Sequence, residues 1–285
     1  MRISKRLITL LIAVLLLATA SSVARAQVQI PPQLPDLKGR EIIVVDSNDY
    51  VPFSFIDPKG GKAVGYEYEL MGEICSRLNC KLTYKTGEWP GFLVAVNQGQ
   101  FDVGMVGISI TDERKQQVDF SKPYITVETK FLVRSDETKF VDSVSFVANK
   151  DLKIGTQAGT TGQYVAEGLL KEKDPRIVFY DNFGFSVQAL LKGDVDAVIS
   201  DVAAGRGYIG ANAGKLKLLN ETLSSDPLGL IFKKGSDLVA PFNAALDSMT
   251  ADDYLTYLDN KWFFLYDPNA ASATPAATAA ATATK

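Results

Sequence analysis

Nine residues, GISITDERK at 107–115, bring together a glycine, two hydroxyls, two acids and a guanidinium. They follow FDVGMV (101–106), an apolar run that reads as a buried strand. A guanidinium offers a carboxylate a planar, two-pronged hydrogen-bonded fork, so Arg114 is the first candidate for chemistry. Ser109 is a hydroxyl close beside it. Thr111 has the form of a helix N-cap, with Asp112 and Glu113 in the first turn of the short helix that follows. The residues alone also allow a solvated Arg114 paired with Glu113, and a Ser109 that satisfies strand-end backbone.

The opposite charge stands in ISDVAAG (199–205). Asp201 ends an apolar run and precedes a helix-forming stretch, so it can present a carboxylate, cap the helix, or do both. An internal repeat relates the two places. LVAVNQGQFDVGM (93–105) and VQALLKGDVDAVI (187–199) share a helix, a glycine C-cap, a spacer, an apolar residue, an aspartate and an apolar strand. The offset is constant, pairing Gly99 with Gly193 and Asp102 with Asp196, and it sets Gly107 opposite Asp201. Two copies of one βα unit suggest two similar lobes. Each equivalent position lies just beyond the carboxyl end of a strand, where open α/β sheets bind ligands.

The elements that must hold these residues follow from periodicity. Short β-branched runs alternate with helical stripes, implying βαβ units and largely parallel sheets. Strands are expected at EIIVV (41–45), KLTYK (81–85), FDVGMV, TKFLV (129–133), KIGT (153–156), IVFY (177–180), VDAVIS (195–200) and LGLIF (228–232). Helices are expected over 66–78, 91–98, 161–171, 185–191, 202–211 and 237–249. Cys75 falls on the first of these helices and Cys80 just past its end; they read either as a disulfide or as two buried thiols. No histidine occurs, which removes the commonest zinc ligand and general base and argues against most hydrolytic mechanisms.

Residues 1–26 read as a cleavable signal peptide: basic MRISKR, a 14-residue apolar run from Leu7 to Ala20, and the small-x-small site Ala24-Arg25-Ala26. No cysteine follows the apolar run, so a lipid anchor is not expected. Without that segment the chain carries 26 basic and 33 acidic residues, a net charge of −7. A surface of that sign repels phosphate, so no nucleic-acid partner is expected. VQIPPQLPD reads as a proline-rich lead-in. Residues 267–285 form an Ala/Thr low-complexity tail.

From Gly39 to Trp262 the chain resembles the bacterial periplasmic polar-amino-acid-binding proteins, the family 3 solute-binding proteins of ABC transporters typified by binders of glutamine, lysine-arginine-ornithine and histidine. The resemblance rests on six motifs in order: DYVPFSF, VGYEYELMGEI, GQFDVGMVGISITDERKQQVDFSKPY, GTQAGTTGQYV, LLKGDVDAVISD and LGLIFKKGSDL. It implies an α/β fold of two lobes, each a mixed, mostly parallel sheet flanked by helices. Two crossover hinge strands would join them. Lobe 1 would comprise residues 39–133 and 227–266, and lobe 2 residues 134–226.

The same resemblance assigns roles. Arg114 would hold a ligand α-carboxylate, with Ser109 bridging toward it, serine standing where many relatives have threonine. Gly107 would offer its carbonyl to the α-ammonium, and Asp201 its carboxylate. Thr161, and less directly Thr160, would present hydroxyls and backbone N–H groups at a helix start. Tyr50 and Trp89 would sandwich the ligand side chain. An aspartate that reads the side chain's polar end in some relatives is replaced at the counted position by Ser47, with Asp46 one residue earlier. Gln157 and Glu88 are further candidates for that end, and the ligand itself is not named.

The expected protein is thus a monomeric, extracytoplasmic binder that delivers an amino acid to the membrane permease of an ABC importer, with no cofactor, metal or catalytic residue. The alternative is a cyclohexadienyl dehydratase-like enzyme on the same scaffold, handling prephenate or arogenate. A sensor ectodomain is the third class, and would require a membrane span downstream.

Overall fold

The computed structural model describes residues 33–89 and 91–266. The expected signal peptide, the Ala/Thr tail and most of the proline-rich lead-in lie outside the described residues.

Along the chain, β1 (Arg40–Asp46) leads into a small antiparallel sheet of β2 (Asp49–Tyr50), β3 (Ser54–Ile56) and β4 (Ala63–Val64). Then come α1 (Tyr66–Leu78), β5 (Cys80–Thr86), α2 (Phe92–Asn97), β6 (Val103–Gly104), α3 (Asp112–Gln117) and β7 (Asp119–Phe120). Next are β8 (Ile125–Arg134), α4 (Ser143–Ala148), β9 (Ile154–Gln157), α5 (Thr161–Leu170), β10 (Ile177–Tyr180), α6 (Phe183–Lys192), β11 (Ala197–Asp201) and α7 (Val202–Ala211). The chain continues through β12 (Leu216–Leu218), β13 (Ser224–Leu228), β14 (Ile231–Phe232), α8 (Val239–Ala251), α9 (Tyr254–Asp259) and a π-helical turn at Asn260–Phe264.

Two main sheets result. The first has the order β5-β1-β6-β14-β7, with β5, β1 and β6 parallel and β14 antiparallel to both neighbours. It therefore draws strands from both ends of the chain. The second has the order β10-β9-β11-β8-β12, with β13 also on β8. Here β10, β9 and β11 are parallel and β8 is antiparallel. Each sheet is covered on both faces. One apolar cluster around Ile42, Leu70, Ile74 and Phe242 and another around Val45, Phe92 and Val96 flank the first sheet. Clusters around Phe131, Phe146 and Ile154 and around Val187, Leu190 and Val198 flank the second.

The repeated unit has a physical counterpart in both sheets. Gly99 and Gly193 each take the left-handed conformation after their helices, at φ 75° and 87°, where a side chain would strain the backbone. Three residues later, Asp102 accepts the Ile43 N–H at 2.8 Å and its own N–H donates to the Ile43 carbonyl at 2.9 Å. Asp196 does the same with Lys153, at 3.0 and 2.9 Å. The aspartate thus locks the start of its strand to the neighbouring parallel strand in each copy.

The sheets are joined by β8 and β13, an antiparallel pair in register from Thr129↔Ser224 to Ile125↔Leu228. Leu228 also bridges to Ser109, and the Tyr124 N–H donates to the Leu228 carbonyl at 3.1 Å.

The expected helices recur within two residues of their anticipated ends. The strand expected over 101–106 is shorter, pairing only at Val103–Gly104, because the chain bends toward Gly107. Of the two readings of the cysteines, the disulfide is the one found: Cys75 and Cys80 are bonded with 4.7 Å between Cα atoms, tying the last turn of α1 to the first residue of β5. Replacing both by serine should lower unfolding stability by about 2 kcal/mol, the chain-entropy value for so short a loop, as read by denaturant titration.

Candidate functional site

One cavity between the two sheets is lined by all ten candidates: Ser47, Tyr50, Trp89, Gly107, Ser109, Arg114, Gln157, Thr160, Thr161 and Asp201. Ser47, Trp89, Gly107 and Ser109 follow β1, β5 and β6, while Tyr50 lies on β2 and Arg114 in α3. Those from the second sheet follow β9 and end β11. Every one lies at or beyond the carboxyl end of a strand.

Arg114 is built into place by its own helix start. Thr111 is extended, at φ −113° and ψ 155°, and its hydroxyl accepts the Arg114 N–H at 3.2 Å. The guanidinium is only 5 % exposed as a residue. It donates from Nη1 to the Ser109 carbonyl and from Nη2 to the Gly159 carbonyl, both at 3.0 Å, the second across the gap between the sheets. Its Cζ stands 5.1 Å from the centre of the Trp89 ring. No carboxylate lies within ion-pairing distance of it among the described residues, so the alternative pairing with Glu113 is not realised. Burial pushes its pKa down, yet a guanidinium remains charged near neutrality.

Asp201 ends β11 and caps α7, its Oδ1 accepting the Ala204 N–H at 2.7 Å. Its Oδ2 accepts the hydroxyl of Tyr50, on β2 of the small antiparallel sheet. Burial raises its pKa, and the Tyr50 hydroxyl and the N–H groups of Ala204 and Ala203 oppose that rise. Two oxygens with about four lone-pair directions can accept further donors beyond these.

The remaining polar groups are fixed by caps and turns. Thr160 caps α5, accepting from the Gln163 N–H at 3.3 Å and donating to the Gln157 carbonyl at 2.8 Å. Thr161, the first residue of α5, faces Ser109 with 3.4 Å between hydroxyl oxygens. Gln157 donates through Nε2 to the Asp181 carbonyl at 2.9 Å. Ser47 donates to Asp49, and Asp49 lines the cavity too.

Two aromatic walls complete it. Tyr50 stacks on Phe53, with centroids 5.6 Å apart and planes 13° apart, and meets Phe183 edge-on at 5.5 Å. Trp89 packs edge-on against Phe92 at 5.9 Å and donates Nε1–H to the Ala158 carbonyl at 3.2 Å. Gly107 is held at φ 62°, and a Cβ there would stand 3.0 Å from the Tyr50 ring. A side chain at position 107 would therefore strain the backbone and press on the Tyr50 ring.

Some residues behave differently from the reading of the sequence. Asp46 is fully buried in the core, accepting from Ser54 at 2.5 Å and from Tyr68 at 2.9 Å, and does not line the cavity. Glu88 lines an adjoining cavity with Gln157 and Asp181. Phe183, Asp49 and Thr129 line the main cavity without having been foreseen. Glu67, directly behind Gly107, was missed as well. Its signal was present: it falls on the apolar stripe of α1, with Leu70, Met71 and Ile74, where a carboxylate is out of place.

The arrangement suits a small zwitterion, since a buried guanidinium and helix-start N–H groups face a buried carboxylate beside two aromatic walls. No group of three or more His, Cys, Asp or Glu side chains suited to a metal comes together among the described residues.

Residues 42–264 match the bacterial extracellular solute-binding proteins, family 3. The chain is 29 % identical over 228 residues to a probable histidine-binding protein of Neisseria gonorrhoeae, covering 79 % of this chain and 84 % of that one. The arginine-, lysine-, histidine-binding protein ArtJ of Geobacillus stearothermophilus superposes with a TM-score of 0.73 at 30 % identity, over 81 % of this chain and 97 % of that one. An ancestral amino acid-binding protein, a precursor of cyclohexadienyl dehydratase, gives a TM-score of 0.70 at 31 % identity, over 78 % and 95 %. The architecture is the periplasmic-binding-protein fold. With the match spanning both sheets and the strands between them, the chain belongs to the bacterial extracellular solute-binding proteins, family 3.

Proposed function

We propose that the protein is the extracytoplasmic binding component of an amino-acid ABC importer, taking a polar L-amino acid between its two lobes and passing it to the membrane permease. The observation that carries this reading is the buried Arg114, without an acidic partner among the described residues, on a cavity that Asp201 lines from the opposite sheet. Arg114, Ser109, Thr161 and Thr160 hold the α-carboxylate. Asp201 and the Gly107 carbonyl hold the α-ammonium. Tyr50 and Trp89 cover the side chain, and Gln157 and Ser47 meet its polar end.

Lobe 1 comprises residues 39–133 and 227–266, lobe 2 residues 134–226, and β8 with β13 forms the hinge. Ligand bridging both lobes favours the closed state through contacts made only there. The Tyr50–Asp201 and Arg114–Gly159 bonds already cross that gap, so an entering ligand shares or replaces bonds between the lobes. Residues 1–26 direct export, and the protein acts as a monomer. Among the described residues no helix is long and apolar enough to cross a membrane. The relatives' names, which include histidine, arginine and lysine binders, support an amino acid as the ligand. They also support a binding role over catalysis, because even the dehydratase precursor is an amino acid-binding protein.

Calorimetric titration of refolded, ligand-stripped protein with the twenty amino acids tests this. Tight binding of one or a few polar amino acids is expected. Arg114→Ala should weaken it by about 2–5 kcal/mol, the cost of removing one partner of a buried charged pair. Arg114→Lys should restore it only in part, because the two-pronged fork is lost. A folded protein that binds none of the twenty and turns over prephenate would replace the proposal with the dehydratase. Gly107→Ala should destabilise the protein by about 1–2 kcal/mol through its left-handed backbone alone, and should weaken binding further by displacing the Tyr50 ring, both read on the same preparation.

A further inference from the structure

Glu67 sits in the first turn of α1, 0 % exposed, and does not itself line the cavity. Both of its carboxylate oxygens lie 3.0 Å from the Gly107 N–H, and Oε1 accepts the Tyr124 hydroxyl at 2.6 Å. These two partners belong to different parts of the machinery. Gly107 lines the cavity beside the Tyr50 ring. Tyr124 immediately precedes β8 and is bonded through its N–H to Leu228, the last residue of β13. One carboxylate therefore joins the cavity turn to the root of both crossing strands.

We propose that Glu67 is a positioning residue whose ionised carboxylate holds the Gly107 turn in its cavity-lining form and ties it to the hinge strands, so that protonation of Glu67 loosens the turn. Two donors, the Gly107 N–H shared between both oxygens and the Tyr124 hydroxyl, are given to Glu67. A proton on Oε2 puts a donor where that oxygen now meets the Gly107 N–H and leaves Oε1 as an uncharged acceptor for both, so the charge-assisted grip on the turn is lost.

The surroundings place this change in an accessible range. Burial raises the Glu67 pKa from an ordinary carboxylate value to about 7, opposed by the Tyr124 hydroxyl and the N–H groups of Gly107 and Val106. Asp46, on β1, adds a like charge in the same upward direction. The other titratable groups facing it are hydroxyls that stay neutral at these pH values: Tyr66 on α1, Tyr84 on β5, and Tyr124 itself, each pushed further up by Glu67. The turn is thus held firmly above neutrality and loosely below it. This inference stands on the geometry of the turn. Its consequence for affinity, tighter binding as pH rises through neutrality, rests on the function proposed above.

The test reads the Gly107 amide in ligand-free protein labelled with ¹⁵N-glycine, followed by NMR from pH 5.5 to 8.5. The Gly107 resonance should titrate with a midpoint near neutrality and be flat in Glu67→Gln. In Tyr124→Phe the midpoint should move upward, since a bond favouring the ionised form is lost. That variant keeps Glu67 and decides the matter even if Glu67→Gln fails to fold. A Gly107 resonance without a titration in this range, or one that titrates equally in Glu67→Gln and so follows Asp46, overturns the proposal. In parallel, affinity for the tightest-binding amino acid of the panel should fall between pH 8.5 and 5.5, by up to about 30-fold, the ceiling set by the ionised fraction. The fall should vanish in Glu67→Gln. If no amino acid binds, the transport reading fails while the Gly107 titration still decides the role of Glu67.

Discussion

A guanidinium taken out of water with no acid to meet it is the constraint around which this cleft is arranged. An unpaired buried charge is costly, and it persists only where its hydrogen bonds are otherwise met. Arg114 meets that condition with two carbonyls and an aromatic face, and each must be held still. Thr111 fixes the start of its helix. Phe92 backs Trp89. The Gly159 carbonyl is presented by a turn whose N–H donates to the Gln163 side chain at 2.8 Å, and Thr160 caps the helix that follows. Partial compensation of this kind leaves the charge able to gain from an anion, which is the physical basis for placing a ligand carboxylate there.

The crossing strands impose the second constraint. All five residues of β13 pair with the first half of β8, Ile125–Thr129, and Leu228 is also bonded to the segment that carries Ser109. The cavity turn and the joint between the sheets are therefore one hydrogen-bonded network rather than two. Gly107 and Tyr124 share the Glu67 carboxylate, and Leu228 is bonded both to Tyr124 and to the Ser109 segment. Bonds from Tyr50 to Asp201 and from Trp89 to Ala158 cross from one side of the cavity to the other.

Much of this was legible in the sequence, for identifiable reasons. Helices with a clean apolar stripe, such as 66–78, and helices bounded by glycine, such as 183–192, announce themselves through periodicity and caps. The repeat at 93–105 and 187–199 was readable because a left-handed glycine and a strand-locking aspartate are residue types with few substitutes. What escaped depends on non-local packing. The three-stranded hairpin sheet after β1 has strands of two or three residues, too short for any period to show. Phe183 lies two residues before the helix expected at 185–191, and only the approach of Tyr50 from the small antiparallel sheet makes it a wall of the cavity. The shortening of the strand at 103–104 follows from the bend into Gly107, a demand of the site rather than of strand propensity.

Glu67 shows where fold and site pull apart. In the unfolded chain its pKa is that of an ordinary glutamate, near 4.5, and in the fold it lies at about 7. The raised value means that the folded state prefers the proton. Glu67 is neutral to stability below about 4.5, and as pH rises toward and through 7 its ionisation costs the fold up to about 3 kcal/mol. Asp201 is shifted in the same direction by its own burial. Replacing such groups by apolar side chains is the ordinary route to a more stable core. Here that route would remove the acceptor behind Gly107 and the carboxylate facing the cavity. Two acids buried at strand ends and helix starts, each satisfied by backbone N–H and tyrosine hydroxyl donors, are what a cleft keeps when its polar geometry outweighs its stability.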